Sequence, residues 1–387
     1  MRAQVGFQWM NVTVLDSERP HSAAQNSFKA ALIGRERFDI DWPSIADDRD
    51  VRMYVYQSRE FLNVWMNTIG RASGIECSFV VVKDRDGQPV LYLPFAVETK
   101  FNVRFLRFMD CGVADYNAPI VHAGRKLTQQ EFHAIWPEIL ALLPDFDVVD
   151  LKKIASDASG ALNPLTYLAC SPHSESGHVL RLVRSPDGNG APSTSLKQKL
   201  GRELRKLGET HAVEFIVNPT GPTAEEFIKK LFDLKRQKYQ ETDTADFLDV
   251  PGVADFYRQI ASPQQLGKIG HLSALVVDNV PVSAHLGFIG RDRFYYIMPA
   301  YDAAYARHRP GHLLLNYLVD QTTKQGFETL DLGVGDEAYK ISWATGRVAL
   351  YDHQYAMTAA GHVYLQMRRI RRFVKSGGIR TWFRRAG

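Results

Sequence analysis

The chain has few cysteines, and their distribution excludes two common ways of stabilising a small protein. Three are present in 387 residues, Cys77, Cys111 and Cys170, and they form no C-x-x-C pair. A disulfide framework needs paired cysteines, and a structural zinc site needs clustered cysteine and histidine ligands. We therefore expect free thiols, a reducing compartment and no metal site.

Long uncharged apolar runs are also lacking. No stretch approaches the roughly 18 apolar residues of a membrane-spanning helix, and the first 20 residues hold no continuous apolar segment typical of a secretion signal. Hydrophobic residues make up 45% of the chain and charged residues 23%, the ordinary range for a globular protein with a sizeable core. We expect a cytoplasmic protein.

Acidic residues are missing from the segment His362 to Gly387, which carries eight basic ones. The rest of the chain holds the other 39 basic residues and all 43 acidic ones, a net charge of −4, so DNA binding by the whole protein is not expected. The segment also interleaves apolar residues among the cations, which is typical of a helix lying on an anionic membrane surface. Peripheral attachment to the inner membrane and simple packing of a basic tail on the body are both consistent with this pattern.

The composition along the chain predicts four segments. Residues 1–45 show little periodicity and are interpreted as a poorly ordered lead-in, and residues 359–387 form the basic tail. Between them, the Gly-, Pro- and Ser-rich stretch at 185–195 is the best linker, and it separates predicted domains at 46–190 and 191–358.

Both domains show the same order of predicted elements: helix, β-hairpin or meander, helix, strand. The hairpins, second helices and last strands are predicted at 77–95 and 272–289, at 128–143 and 311–325, and at 148–154 and 329–333. This order predicts an α/β fold with mixed central sheets flanked by helices. It also suggests a tandem duplication of one unit.

A Pro-Gly pair marks the strongest candidate binding loop. A basic segment from Tyr301 to Arg309 leads into Pro310-Gly311 at a predicted helix start. Proline suits the first helical position because its missing N–H would have no partner there, and glycine lets a ligand approach the backbone. The free N–H groups of a helix start bind phosphate, and Arg307 and Arg309 add positive charge. An ordinary helix start with solvated arginines is the alternative.

A cluster of titratable groups follows at the next strand, in the segment DLGVGDEAYKISW (331–343). Such groups at a strand end suit general acid–base catalysis. The alternative is a capped turn, with Asp336 as the N-cap of a short helix and Trp343 in the core. The candidate catalytic groups are Asp331, Asp336, Glu337, Tyr339 and Lys340.

Seven motifs together resemble a known family. The second half contains SALVVDNVPVSAHLGF, FYYIMPAYD, RPGHLLL and DLGVGDEAYKISW in this order, and the first half contains FLNVWMNTIG, LYLPFAVE and DYNAPI. Over about residues 50–355 the sequence resembles the GNAT-superfamily acyltransferases of the CelD/BioF-like group, which is linked to bacterial polysaccharide biosynthesis. The resemblance implies a bacterial protein with a tandem GNAT-like fold, as in the related FemAB-type transferases.

The resemblance also implies a donor site. Acetyl-CoA or a longer acyl-CoA would lie where the strand ending near Pro299 separates from its neighbour, without a metal ion. The superfamily's pyrophosphate loop is commonly [QR]-x-x-G-x-[GA], and this sequence departs from it at His308 and Leu313, which leaves another acyl donor open. The implied donor-binding residues are Met298, Arg307, Arg309, Pro310, Gly311, His312 and Leu313.

The chemistry that the resemblance implies assigns roles to the second cluster. Tyr339 would protonate the leaving thiolate, and Lys340 would contact an anionic substrate or a carbonyl. Asp331, Asp336 and Glu337 are the candidate bases. Acceptor contacts are expected from a loop of the first domain and from the second cluster, at Asp115, Tyr116, Asn117 and Trp343, although a turn capped by the aspartate is equally consistent for the loop.

The function implied is transfer of an acyl group to an amine or hydroxyl of a small-molecule or glycan-precursor acceptor, derived from a sugar or an amino acid. Two alternatives stay open. One is a FemAB-like transferase that uses aminoacyl-tRNA, and the other is a non-catalytic assembly or binding protein of a polysaccharide system.

Overall fold

The computed structural model describes residues 27–46, 50–182 and 194–375. The predicted linker at 185–195 lies almost entirely outside these ranges, as does most of the predicted lead-in. Within them, no helix is long and apolar enough to cross a membrane.

Short strands dominate the chain up to residue 181. The strands are β1 (Phe28–Leu32), β2 (Val51–Arg52), β3 (Glu76–Asp84), β4 (Pro89–Lys100), β5 (Val103–Phe108), β6 (Ile120–His122), β7 (Val148–Ala155), β8 (Asp157–Ala158), β9 (Ala161–Leu162), β10 (Ser171–Pro172) and β11 (Gly177–Arg181). The α-helices are α1 (Phe38–Asp41), α2 (Arg59–Trp65), α3 (Arg71–Ser73) and α4 (Gln129–Ala141).

Longer helices appear in the second part. They are α5 (Thr194–Gly208), α6 (Pro222–Glu241), α7 (Val253–Ile260), α8 (Pro310–Lys324), α9 (Ala338–Trp343) and α10 (Ala359–Lys375). The strands are β12 (Val213–Val217), β13 (Gly270–Val277), β14 (Val280–Ile289), β15 (Arg293–Tyr301), β16 (Thr329–Val334), β17 (Gly346–Val348) and β18 (Leu350–Ala356).

Local signals in the sequence account for several helix starts. Ser58 is the N-cap of α2, and its hydroxyl accepts a hydrogen bond from the Phe61 N–H at 3.4 Å. At α4, Thr128 and Glu131 form a reciprocal capping box. Helix α8 begins instead at Pro310, with no side-chain cap.

Two sheets form the framework of the described residues, and each takes one strand from the other half of the chain. The first sheet has the order β1-β3-β4-β5-β7-β18-β10, with β6 beside β4 and β2 beside β6, and the second has β12-β13-β14-β15-β16-β11-β17. The two orders correspond position by position, and the exchanged strands β18 and β11 occupy the same place in each. This correspondence supports the tandem arrangement of one α/β unit.

The strand exchange does not follow the boundaries expected at residues 45, 190 and 358. Strand β11 precedes residue 190 but pairs with β16 and β17, and β18 precedes residue 358 but pairs with β7 and β10. The described part of the expected lead-in is ordered, contrary to the prediction, because β1 pairs with β3 and Trp42 is fully buried. Periodicity and linker composition report local structure, whereas strand pairing depends on distant parts of the chain.

The two halves share one hydrophobic core. Tyr56 of the first half packs edge-to-face against Tyr295 and Phe288 of the second, with ring centroids 5.3 and 5.8 Å apart. Phe61 packs against Phe288 in the same way at 5.4 Å. The opposite face of the second sheet has its own core, which includes Trp343 and the buried leucines of α8.

A gap opens between β15 and β16. They pair in parallel only from Arg293 to Tyr295, whereas β15 stays paired with β14 as far as Tyr301. Beyond that point β16 continues beside β11. The separation of this strand from its neighbour agrees with the fold that the sequence motifs imply.

A buried carboxylate lies where these strands separate. Asp331, fully buried, is the last residue of β16 that pairs with β15. Its Oδ2 accepts a hydrogen bond from Arg293 at 2.7 Å, and its Oδ1 accepts bonds from the Tyr116 hydroxyl at 2.8 Å and the Gly333 N–H at 2.9 Å. The carboxylate therefore joins β15, β16 and a loop of the first half.

Arg293→Met is expected to lower the free energy of unfolding by about 3–5 kcal/mol, because it leaves a buried carboxylate without its charged partner. Urea unfolding followed by circular dichroism measures this. Lys197→Met is the matched control: Lys197 pairs with Asp320 at 3.1 Å, but both side chains are more than a third exposed, so a loss below about 1 kcal/mol is expected. Equal losses in the two variants would contradict the structural importance of Arg293.

Candidate active site

A cleft of about 620 Å³ occupies the gap beside β15. Helix α6 contributes one side, from Leu234 to Glu241, and the end of β15 contributes another, from Tyr296 to Tyr301. The start of α8 and Tyr339 of α9 complete the lining. Secondary structure on several sides therefore encloses a space next to an unpaired strand edge, which suits an elongated ligand.

The start of α8 presents unsatisfied backbone donors to this cleft. Arg309 precedes the helix in the left-handed region, at φ 55° and ψ 47°, and its side chain makes no cap. The first N–H groups of a helix have no acceptor within it and carry a partial positive charge. A Cβ on Gly311 would lie 3.3 Å from the Tyr301 ring, so glycine permits the close packing here. Arg309, Pro310, Gly311 and His312 all line the cleft.

The other three expected donor-binding residues lie elsewhere. Arg307 is exposed and donates a hydrogen bond from Nε to His308 at 2.8 Å. Met298 and Leu313 are buried in the two hydrophobic cores, and the cleft lining in the described chain includes neither. Side chains alternate along β15 and rotate around α8, so neighbouring positions face different environments.

A hydrogen bond from Trp343 orients His312. The indole Nε1 donates to Nδ1 of His312 at 3.1 Å, and the rings stack with centroids 6.2 Å apart. Burial and the nearby Arg309 lower the pKa of His312, which favours the neutral ring. Because Nδ1 accepts, the neutral ring carries its hydrogen on Nε2. Trp343 itself is buried in the core, as the simpler sequence interpretation expects, and makes no direct contribution to the lining.

Tyr339 is the candidate catalytic group that lines the cleft. Burial, reinforced by the neighbouring Tyr296, raises the pKa of Tyr339 well above its usual value. The phenol is therefore protonated at neutral pH and can donate a proton or a hydrogen bond.

The remaining members of the second cluster pair with one another or with the fold. Asp336 contacts Nε2 of His178 at 2.9 Å, and Glu337 contacts Nζ of Lys340 at 3.0 Å. Lys340 also donates to the Val334 carbonyl. Glu337, and not Asp336, is the N-cap residue of α9. Asp331 is enclosed at the strand junction described above, a position that favours a structural role over that of a base.

Asp115 reaches from the first half to the end of β16. Its Oδ2 accepts a hydrogen bond from the Val334 N–H at 3.2 Å. Burial raises the pKa of Asp115 to about 6, even though the cations of Lys153 and Lys340 oppose this shift. Asp115 therefore couples the two halves next to the cluster around Lys340.

Tyr116 and Asn117 are buried and bonded to the protein itself. Tyr116 donates to Asp331, and Asn117 donates to Asp110 at 3.0 Å. Asn117 also forms a parallel bridge with Ile154 of β7, which fills the first half's counterpart of the gap beside β15. In the structure both side chains thus contact the protein itself, and their expected role in acceptor binding stays a prediction.

Helix α6 supplies a residue that the sequence motifs do not single out. Lys235 lines the cleft, is partly buried, and has no hydrogen-bond or ion-pair partner within the described parts of the chain. Burial and the nearby Lys340 lower the pKa of Lys235. Its position four residues after the buried Leu231 was the available signal, because that spacing places it at the edge of the buried helix face.

The described residues contain no group of three or more His, Cys, Asp or Glu side chains placed to hold a metal ion. The charged and titratable groups that line the cleft include Lys235, Lys238, Glu241, Arg309, His312 and Tyr339.

A comparison with protein-family models finds a match in the second half of the chain. Residues 194–341 match the family model described as an acetyltransferase (GNAT) domain. The fold of the chain is similar to that of FemX, at 10% identity over 84% of this chain and 96% of that one, with a TM-score of 0.52. A conserved protein of unknown function from Bacteroides thetaiotaomicron is similar at 10% identity over 84% and 98%, with a TM-score of 0.50.

A tandem GNAT protein from the clavulanic acid biosynthesis pathway also matches, at 12% identity over 85% of this chain and 98% of that one, with a TM-score of 0.44. No curated protein matches the sequence. Residues 194–341 thus match a GNAT acetyltransferase domain, and the two sheets of the described chain repeat the strand order of one α/β unit. None of these matches bears on the narrower CelD/BioF-like group.

Proposed function

We propose that this protein is an acyltransferase that takes its acyl group from acetyl-CoA or a longer acyl-CoA. The cleft beside β15 carries the proposal, because it combines an unpaired strand edge with an uncapped, basic helix start. It lies within the matched GNAT domain.

The start of α8 suits the phosphates of such a donor. Backbone N–H groups at Gly311 and His312 offer directional donors, and Arg309 adds a full positive charge. When bound, the donor supplies an activated thioester carbonyl. The protein's part is to hold the carbonyl beside the acceptor and to control protons around it.

Tyr339 is the proposed proton donor. The acceptor's amine or hydroxyl attacks the carbonyl, the C–S bond breaks, and the phenol protonates the departing thiolate. Its raised pKa keeps the proton available at neutral pH. Asp336 and Glu337 are both exposed, and they precede Tyr339 closely in the sequence. They remain the candidate bases that take the proton from the acceptor.

The acceptor class rests on the sequence motifs. The resemblance to the CelD/BioF-like group supports an amine or hydroxyl of a sugar or amino-acid derivative, in envelope or exopolysaccharide biosynthesis. A FemAB-like transfer from aminoacyl-tRNA is the second candidate, and the similarity of this fold to FemX favours keeping it.

Arg309→Gln is expected to weaken acetyl-CoA binding about tenfold, because it removes a charge-assisted contact with phosphate. Isothermal titration with acetyl-CoA and free CoA measures this. Arg307→Gln is the matched control, since Arg307 lies two residues earlier outside the cleft lining of the described chain. Equal effects of the two substitutions would contradict the proposed donor position. No binding of any CoA species, together with binding of aminoacyl-tRNA, would support the second candidate.

Tyr339→Phe is expected to lower kcat about 100-fold with little change in KM, because it removes the proton donor and keeps the ring. Release of the CoA thiol in the presence of amino sugars and amino acids measures turnover. Tyr305→Phe, outside the cleft lining of the described chain, should leave kcat unchanged. Unchanged turnover in Tyr339→Phe would remove the proposed general acid.

A further inference from the structure

The unpaired Lys235 indicates a second charged subsite in the cleft. Lys235 is partly buried, and its ammonium faces the cleft without a partner in the described chain. Such a group gains by pairing with an anion, because burial has already removed part of its hydration. The charges of Lys340 and Glu337, at α9, shift the pKa of Lys235. The charge of Arg309 shifts the pKa of His312, at the start of α8. The cleft thus has two separate cationic positions, one at each of these helices.

Neighbouring groups do not neutralise the position at Lys235. Lys340 is engaged by Glu337 at 3.0 Å and by the Val334 carbonyl. The carboxylate of Glu337 is therefore already paired with Lys340, and its side chain is more than half exposed. This one carboxylate acts on both Lys340 and Lys235. Lys235 lines the cleft, as Tyr339 does, whereas the described lining includes neither Lys340 nor Glu337.

We propose that the ammonium of Lys235 binds a carboxylate or phosphate group of a substrate at the α9 side of the cleft. This inference rests on the acyltransferase function proposed above. The charged group belongs either to the end of the transferred acyl chain or to the acceptor. An anion here pairs the free lysine, and its binding energy is larger in this partly dry site than in water.

Succinyl-CoA and butyryl-CoA test the acyl chain as the source, because they differ in a terminal carboxylate at equal chain length. If the acyl chain carries the charge, the protein binds succinyl-CoA about tenfold more tightly. Lys235→Met should abolish this preference, and Lys235→Arg should keep it. Lys238→Met is the matched control, because Lys238 lines the same side of the cleft but is exposed. Its Nζ lies 3.8 Å from Oε2 of Glu241, so it already has a partner.

Inorganic phosphate and acetate test the acceptor as the source. Each is added to the protein saturated with acetyl-CoA, and reductive methylation of lysines with formaldehyde and cyanoborohydride is followed by mass spectrometry. If the acceptor carries the charge, either anion slows the labelling of Lys235 severalfold and leaves Lys238 unchanged. If succinyl-CoA shows no preference and neither anion protects Lys235, the inference is overturned. Protection of Lys235 in a protein that binds no CoA species would keep the anion subsite and contradict the donor assignment instead.

The outer face of α10 carries an independent inference. Its inner face is anchored on the first sheet, where the Tyr364 ring packs against Phe105 with centroids 5.0 Å apart. On the other side, Val363, Met367 and Ile370 follow helical spacing and are 58%, 50% and 62% exposed. This apolar stripe has no cover within the described chain.

Arg368, Arg369 and Arg371 lie on the described part of the same helix, so positive charge accompanies the stripe. The segment from His362 onward has eight cations and no acid. A second copy bound through a twofold axis would bring like charges together. An anionic lipid surface accepts both the apolar stripe and the cations. We propose that α10 docks this protein on an anionic bilayer.

Sedimentation with vesicles tests this docking. Vesicles of phosphatidylcholine with phosphatidylglycerol should bind the protein, and vesicles of phosphatidylcholine alone should bind it at least tenfold less, with salt weakening the binding. Met367→Ser combined with Ile370→Ser should lower binding about tenfold. Ile40→Ser is the matched control, because Ile40 is equally exposed, at 62%, on α1.

Charge removal gives the second arm. Arg369→Gln and Arg371→Gln should each lower binding to the anionic vesicles about fivefold. Equal binding to both kinds of vesicle, or none to either, would overturn the docking inference. A dimer in solution that Ile370→Ser dissociates would overturn it as well, because a second copy would then cover the stripe.

Discussion

The carboxylate of Asp331 lies at the point on which the rest of the structure depends. It accepts hydrogen bonds from β15 through Arg293, from its own strand at Gly333, and from the first half through Tyr116. Directly beyond it β15 leaves β16, and the cleft begins. A buried carboxylate with both oxygens occupied tolerates little displacement, so this one group links the opening of the gap to the contact between the halves.

The two halves share a strand order but differ at the helix that follows the separating strand. In the second half, α8 begins without a side-chain cap, and its backbone donors are free for a ligand. In the first half, Thr128 and Glu131 cap α4, and Asn117 pairs with β7 inside the corresponding gap. The same strand order therefore occurs in both units. The uncapped helix start and the cleft beside it occur in the second unit of the described chain. The first unit contributes to the core that the two halves share, and its Asp115 contacts the end of β16 next to the junction.

Prediction from the sequence succeeded where the signal was local. The Pro310-Gly311 pair indicated the helix start, and the periodicity of 128–143 indicated α4 within two residues at each end. It was less informative about which side chains reach the cleft. Met298 and Leu313 follow directly from motif positions, yet each points into a core, because facing depends on how the strand and the helix are packed. Lys235 was missed because α6 comes next to α9 only in the folded chain.

The sequence by itself determined the order of elements, the helix start at Pro310, the cationic character of the last helix and the resemblance to GNAT acyltransferases. Each of these depends on residue type and on short spacings, which are properties of the chain before it folds. Only the tertiary structure decided that β11 and β18 exchange sheets, that Asp331 closes the junction, and that Lys235 lies unpaired in the cleft. These features arise from hydrogen bonds, burial and charges between residues far apart in the chain, such as Tyr116 and Asp331, which are 215 positions apart. The candidate site that opens on the Pro-Gly loop thus takes its shape from contacts that no segment contains alone.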